Sequence, residues 1–551
     1  MTTPPPRTTA SAPPTARTTP PGAASKLRWP LLVLAGLSAL VFLTHLSLID
    51  LPYYWDEAGY FIPAARDIYA EGAFVPHSTL SNAHPPLVMA YLALAWKLFG
   101  FHIAVARSAM LVVSIVTLFG VFRLAGRVAN APVAVASALC TALYPVFFAQ
   151  SSLAHLDMTV AALTIWGLVL YLPRRIPRTG AGGDSTPDAA GESPDANGET
   201  HESRLDQPSL RRWASVALFA LAGLAKETAI LVPLTLFGWE ALCLLAGRKE
   251  KLAAALCLGP RRSFRRTLML LWALAPLALW FAYHHSQTGY VFGNPEYFRY
   301  NVESTLNLSR TLEALWRRLA HVTAHMELWV LVLAALLAML LRPLSDAGAV
   351  RRRIEVPVQL LFGALILAHV VALSIVGGAI LARYMLPVLP LVIIICVSTV
   401  WRRVRLWALV IVLVCGAFAY RSVNNPPYSF PWEENLAYRD FILLHRDAAH
   451  VLSDKYPEAR VLTAWPATDE LKNPYFGYLE RPLKVFPVEN FKREALEQAA
   501  RQKSQYDFAF LYSTHGGLEL VEAARVLGGS VVYSAQRNGQ WAAVVEVSRK
   551  Q

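Results

Sequence analysis

From Trp29 to Tyr420 the chain is a series of long apolar runs joined by short polar or basic segments. The first, Trp29 to about Ile49, is long enough at 1.5 Å per residue to cross a hydrocarbon core of about 30 Å. Further runs lie near 86–122, 131–149, 158–172, 213–246, 267–285, 327–341, 357–376, 384–400 and 406–420. Lys226-Glu227 interrupts 213–246, which predicts two helices meeting at the outer face. The run 86–122 would make a helix of about 55 Å, nearly twice the core, so the "LFGFH" break at 98–102 predicts a bend. After Tyr420 the period changes. β-rich runs at 461–466, 484–488, 507–512, 530–535 and 541–547 alternate with polar helix patterns at 432–455, 490–503 and 517–527, predicting a small α/β domain over 421–551.

Basic residues set the orientation. Arg248-Lys249, Arg261-Arg262, Arg265-Arg266, Arg351-Arg352-Arg353 and Arg402-Arg403 all fall between apolar runs, as cytoplasmic loops do. Eleven spans satisfy this parity, with thirteen the other odd count; the N-terminus is then cytoplasmic and the C-terminal domain extracytoplasmic. The Pro/Thr-rich tail 1–28 and the Gly/Ser/Pro-rich insert 173–212 read as disordered cytoplasmic segments. Loops 50–84 and 286–326 fall outside, and the transmembrane unit is 29–420.

Composition agrees. Hydrophobic residues make up 55% and charged residues 16%, against about 25% charged in soluble domains. That excludes a soluble enzyme and a disulfide-built secreted scaffold. The net charge of +13 does not indicate nucleic acid, because the basic runs carry no interleaved stacking aromatics. Cys140, Cys243, Cys257, Cys396 and Cys415 lie in or beside apolar segments and read as small buried hydrophobes.

Five short motifs carry ionisable groups. "YYWDEAGY" (53–60) follows the first run and holds Asp56 and Glu57 among Tyr54, Trp55 and Tyr60. Neighbouring residues on a helix point about 100° apart, so one carboxylate at a time faces a given site; two acids in a first helical turn also simply favour the macrodipole. "HPPL" (84–87) puts His84 at a helix start, "AHLDM" (154–158) supplies His155 and Asp157, "KE" (226–227) supplies Lys226, and "RYMLPVLP" (383–390) supplies Arg383 and Tyr384. Each alone is weak, and capping or mutual pairing of Lys226 with Glu227 would account for several. The parity above nevertheless gathers Asp56, Glu57, His84, His155, Asp157, Lys226 and Arg383 at one outer face. Carboxylates to take a proton and cations to hold a departing phosphate are what a sugar transfer needs.

In that order, the motifs resemble the dolichyl-phosphate-mannose protein mannosyltransferase-like family, glycosyltransferase family 39, including its bacterial aminoarabinose and rhizobial galacturonosyltransferase-like branch. The resemblance covers roughly residues 30–420. It implies a C-type glycosyltransferase membrane fold and inverting transfer of a hexosyl or pentosyl group from a polyprenyl-phosphate carrier to a lipid, glycan or protein acceptor. The expected location is the outer face of the bacterial inner membrane. By resemblance, Asp56 takes the place of the catalytic acid, and Asp157 that of the acid in the second external loop. His84 stands where aminoarabinose transferases have a phosphate-holding lysine, a departure that leaves the sugar open. Lys226 and Arg383 are expected to help bind the donor phosphate. Glu57 joins the catalytic set, and Tyr54, Tyr60, His155 and Tyr384 are candidates for contacting sugar or acceptor. No tight His/Cys cluster demands zinc; two acids and a phosphate could share a divalent cation, and no other cofactor is implied. The competing readings are a lipid-linked glycan polymerase or ligase, and a polytopic transporter or flippase. The latter would place its ionisable groups near mid-membrane, often in repeated halves, and no repeat is present.

Overall fold

A computed structural model describes residues 23–173, 208–247, 256–258, 263–295, 298–299, 307–346, 348–376, 378–514 and 516–547. Most of the tail 1–28, most of the insert 173–212, the runs Arg248-Lys249 and Arg261-Arg262, and Glu296, Tyr297 and Tyr300 lie outside the described residues.

The apolar runs become a helical bundle. Among the described residues, Arg28–Leu48, Ile103–Val128, Glu227–Ala246, Phe264–Thr288, Leu308–Met339 and Val356–Ile375 are long and apolar enough to cross a membrane. Shorter apolar helices are Leu87–Phe99, Ala131–Leu143, Leu156–Tyr171 and Trp407–Val423. Phe99 (73% exposed) and Leu340 (81%) point outward, as lipid-facing side chains would and water-facing ones rarely do. The long run 86–122 does break, into Leu87–Phe99 and Ile103–Val128. The 13 residues of Leu87–Phe99 make about 20 Å, too short for the core, and this helix packs beside Ile62–Glu71 of the loop 50–84. The run 131–149 is likewise broken, at Tyr144-Pro145, where proline cannot extend a helix. Lys226 separates Pro208–Ala225 from the turn Glu227–Ile230 and the helix Leu231–Ala246, the junction expected. The structure departs from the expected loop 286–326 in one element: Leu308–Thr323 is an amphipathic helix whose Arg318 is buried.

A strand pair, β1 (Ser345–Asp346) and β2 (Ala349–Val350), lies between the helices. The C-terminal region carries β3 (Arg460–Ala464), β4 (Lys484–Val488), β5 (Phe508–Tyr512), β6 (Gly529–Arg537) and β7 (Gln540–Val547), in the order β4-β3-β5-β7-β6. β3 pairs parallel with β4 and β5, while β7 runs antiparallel to β5 and β6. β5, "FAFLY", is buried at every position, as a strand covered on both faces should be. β6 and β7 join through Asn538-Gly539, both left-handed (φ +44° and +81°); Asn-Gly is the pair that suits such a two-residue hairpin turn. Helix Ala437–Lys455 covers β6 and β7.

This sheet domain sits on the loop 50–84. Tyr53 N–H donates to Phe476 O at 3.0 Å, and Tyr478 Oη–H donates to Tyr53 O at 3.0 Å. Trp55 meets the rings of Trp465 and Phe441 at 4.9 and 5.9 Å. A Cβ on Gly59 would stand 2.9 Å from Trp465 Cζ2, so only glycine lets the indole approach this closely.

Candidate active site

The loop 50–84 is held by two buried carboxylates. Asp67 accepts from His77 N, Ser78 N and Ser78 Oγ at 2.7, 2.9 and 3.0 Å, folding residues 72–80 back onto the loop's helix. Glu57, fully buried, accepts from Tyr54 N at 2.8 Å, from Ala154 N at 2.5 Å and from Arg107 Nη1 at 2.6 Å. Arg107 also donates to Leu51, Pro52 and Ser152 carbonyls. This latch forces a tight path. Trp55 takes φ +45°, rare for a bulky side chain, and 57–61 forms a single π-helical turn. Its effect is to face Asp56 and Glu57 oppositely.

Asp56 lines a cavity of about 1280 Å³ and its side chain is 36% exposed; Glu57 does not line that cavity. The expectation that Glu57 belongs to the catalytic set is therefore corrected. Its carboxylate is used up by backbone amides and Arg107, and the residue positions the loop.

Arg383, buried at the turn Ala382–Met385, ties the acids together. Its Nη2 is paired with Asp56 Oδ2, its Nη1 lies 2.9 Å from Glu433 Oε2, and its Nε lies 3.4 Å from Asp157 Oδ2. Asp157, at the start of Leu156–Tyr171, is paired with Lys226 Nζ at 2.7 Å. The sequence reading had Lys226 and Glu227 as possible partners of each other. Instead Glu227 Oε2 meets His84 Nδ1 at 2.9 Å, and Lys226 Nζ stands 3.7 Å from the Tyr384 ring centroid, within cation–π range. Asp56, His84, Asp157, Lys226, Arg383 and Glu433 all line the one cavity.

Tyr54, Tyr60 and Tyr384 line the cavity too. His155 does not. It is fully buried, with Nδ1 lying 2.7 Å from both Gln150 Oε1 and Arg383 Nη1. The candidate contact with sugar or acceptor is thus corrected to a support for the Arg383 guanidinium.

Sequence reasoning missed Glu433, which comes from "PWEEN", 377 residues after Asp56 in a segment with no membrane signal. Burial, outweighing the attraction of Arg383, pushes its carboxyl up to about 8, with Asp56, Glu434 and Asp157 adding to the effect. Its Oε1 has no hydrogen-bond partner among the described residues. Arg107 was missed as well; a lone arginine four residues into an apolar helix reads as an interface anchor. Asp56, His155 and Glu433 each offer a ligand atom within 4.8 Å of the others, and the Arg383 guanidinium, in contact with all three, already takes the place a cation would have.

The cavity has a second character. Leu277, Phe281, Leu373, Val376 and Ile380, from helices of the membrane unit and the loop after one of them, give it an apolar wall. Trp465, Ser513 and Thr514 give it a side made by the sheet domain. One space therefore offers charge, aliphatic surface and a polar flank.

Residues 83–178 match the family described as dolichyl-phosphate-mannose-protein mannosyltransferase. No curated protein matches the chain in sequence. Among solved structures, ArnT from Cupriavidus metallidurans bound to undecaprenyl phosphate is similar at 15% identity and a TM-score of 0.51, over 96% of this chain and 99% of that one. Its apo state gives 17% identity and the same TM-score of 0.51, over 95% and 98%. The resemblance read from the motif order is borne out by the match over 83–178, and the fold is that of the C-type membrane glycosyltransferases.

Proposed function

We propose, from a segment matched to the mannosyltransferase family and a C-type glycosyltransferase fold, that this protein is an integral membrane sugar transferase. Its donor is a polyprenyl-phosphate-linked sugar and its acceptor a lipid, glycan or protein hydroxyl. The observation that carries this reading is the single cavity joining the Asp56–Arg383–Asp157–Lys226 charge chain to an apolar wall. An amphiphile with a phosphate head and an isoprenoid tail needs both surfaces in one place. At about 1280 Å³ the cavity exceeds the about 300–1,000 Å³ typical of single small ligands, leaving room for donor and acceptor together. The similar ArnT structure was solved with undecaprenyl phosphate, a lipid of that chemistry.

In this reading Asp56 is the base. As the acceptor oxygen bonds to the anomeric carbon, its proton passes to the Asp56 carboxylate, and the bond from that carbon to the phosphate oxygen breaks with inversion. The phosphate leaves with an added negative charge, which Lys226, Arg383 and hydrogen bonding from His84 offset. Arg383 holds Asp56 toward the cavity, and the sheet domain walls the acceptor side through Trp465. We place the transferred group among hexoses or pentoses, and the site on the outer face of a bacterial plasma membrane.

Asp56→Asn keeps the shape and removes the base, so purified protein should lose about 10²–10⁴-fold in transfer from a polyprenyl-phosphate sugar while eluting as folded protein. Transfer at the wild-type rate would overturn the assignment.

A further inference from the structure

Behind the cavity lies a second group of ionisable side chains that the transfer chemistry does not use. Helix Leu308–Thr323 ends at a break where Met326 and Glu327 take left-handed backbone, φ +49° and +67°. Two adjacent non-glycine residues in that region cost about 1–3 kcal/mol each and persist only where the surroundings enforce them. His321 lies in the last turn of that helix and His325, four residues on, in the break itself; both face Glu434 on the strap 431–435.

A ligand atom from each of His321, His325 and Glu434 lies within 4.8 Å of the other two. His325 Nε2 is 2.6 Å from Glu434 Oε2, and the two imidazole centroids are 5.0 Å apart. The supporting contacts are those that metal-bound groups have. His325 Nδ1 meets Tyr428 Oη at 3.2 Å, and Glu434 Oε1 accepts from Ala382 N at 2.7 Å; such outer partners fix the tautomer and the carboxylate plane. A histidine–carboxylate hydrogen bond alone would account for His325 and Glu434. It leaves His321 unexplained, because its Nδ1 is buried with no hydrogen-bond partner among the described residues and the residue is only 7% exposed. An uncompensated buried polar atom costs about 1–3 kcal/mol.

We propose that His321, His325 and Glu434 bind one divalent transition-metal ion, of which zinc fits best. Two imidazoles and one carboxylate suit zinc, whereas magnesium and calcium favour oxygen donors throughout. None of the three residues lines the cavity, so the ion is structural. It fastens the broken helix to the strap, and through Glu434 it fixes both Glu433 and the Ala382 amide next to Arg383. The site needs no sugar transfer to be detected, so it stands or falls apart from the function proposed above.

The test uses full-length protein in detergent, stripped with a chelator, re-loaded with zinc alone or cobalt alone, and dialysed. Wild type should retain one zinc per chain by elemental analysis, and cobalt should give the intense visible bands of a four-coordinate ion. His321→Ala and His325→Ala should each weaken binding by more than the about 10–100-fold that losing an outer partner costs. Asp56→Asn should retain the metal, since Asp56 belongs to the other candidate triad. Should the alanine variants elute as aggregates, His321→Cys decides the matter by gain of signal: cobalt at this site acquires a thiolate charge-transfer band. A wild type that binds neither ion overturns the proposal. So does zinc content unchanged in the histidine variants, lost in Asp56→Asn, or a cobalt spectrum unaltered by His321→Cys.

Discussion

Adjacent carboxylates at 56 and 57 should fail in different ways when neutralised. Glu57 and Arg107 are 0% and 1% exposed and 2.6 Å apart, and removing one partner of a buried pair costs about 3–5 kcal/mol because the other charge is left uncompensated. Glu57→Gln also turns one acceptor for Tyr54 N, Ala154 N or Arg107 into a donor. The loss should therefore sit at the high end of that range. Asp56 is partly exposed and shares the buried Arg383 with Asp157 and Glu433, which still surround the guanidinium when Asp56 is neutralised, so its neutralisation should cost less than that of Glu57. Thermal unfolding followed by size-exclusion fluorescence gives the ranking. Because large membrane proteins commonly unfold irreversibly, melting temperatures are compared as an order, not converted to free energies. Glu57→Gln should melt several degrees below both wild type and Asp56→Asn, yet retain transfer at temperatures where it stays folded. Glu57→Leu combined with Arg107→Met should recover part of the loss, since apolar replacement of a buried pair is often nearly neutral. Full recovery is not expected, because the Leu51, Pro52 and Ser152 carbonyls lose their donor. A Glu57→Gln protein as stable as wild type but inactive would refute the latch and return Glu57 to the chemistry.

Two other substitutions probe the charge chain. Above pH 8, where the raised Glu433 carboxyl is ionised, Glu433→Gln replaces a charged acceptor of Arg383 Nη1 with a neutral one; with Arg383 then drawn more tightly onto Asp56, transfer at about pH 9 should slow about fivefold, given the roughly 1 kcal/mol between neutral and charged hydrogen bonds, and by less at about pH 7. An unchanged kcat would remove Glu433 from the site. Lys226→Met leaves Asp157 with Arg383 alone and takes a cation from the Tyr384 ring; the KM for the lipid donor should rise about tenfold or more, and a KM equal to wild type would count against phosphate binding there.

Periodicity made the scaffold readable because both of its solvents impose a pattern. Lipid demands long apolar runs, and the C-terminal sheet domain shows strands almost where the alternation placed them: 461–466 against Arg460–Ala464, 484–488 against Lys484–Val488. Asp56, Asp157, Lys226 and Arg383 were visible for a related reason. A charge bordering an apolar run is conspicuous and needs an explanation. Glu433 and Glu434 had no such background, because two acids in a polar strap look like any solvated surface. Only the fold, which brings the strap under Arg383 and beside His325, turns them into buried groups. Glu57 failed in the opposite direction: it was as conspicuous as Asp56, and sequence had no means of finding Arg107 as its partner 50 residues away.

The same geometry explains why the sheet domain belongs to the working unit. Arg383 is held by acids from three separate parts of the chain: Asp56 from the loop 50–84, Asp157 from a membrane helix, and Glu433 from the strap that leads into the domain. The loop bearing Asp56 is pinned on one side by Arg107 and on the other by Phe476 and Tyr478 of the domain. Lifting the domain would therefore withdraw Glu433 and loosen the Asp56 loop in one movement. It would also remove the Trp465 wall from the cavity. The hydrogen bonding of Arg383 thus depends on the domain being seated, so the membrane unit alone would leave the buried Arg383 Nη1 without its Glu433 acceptor, a loss that low-dielectric surroundings penalise.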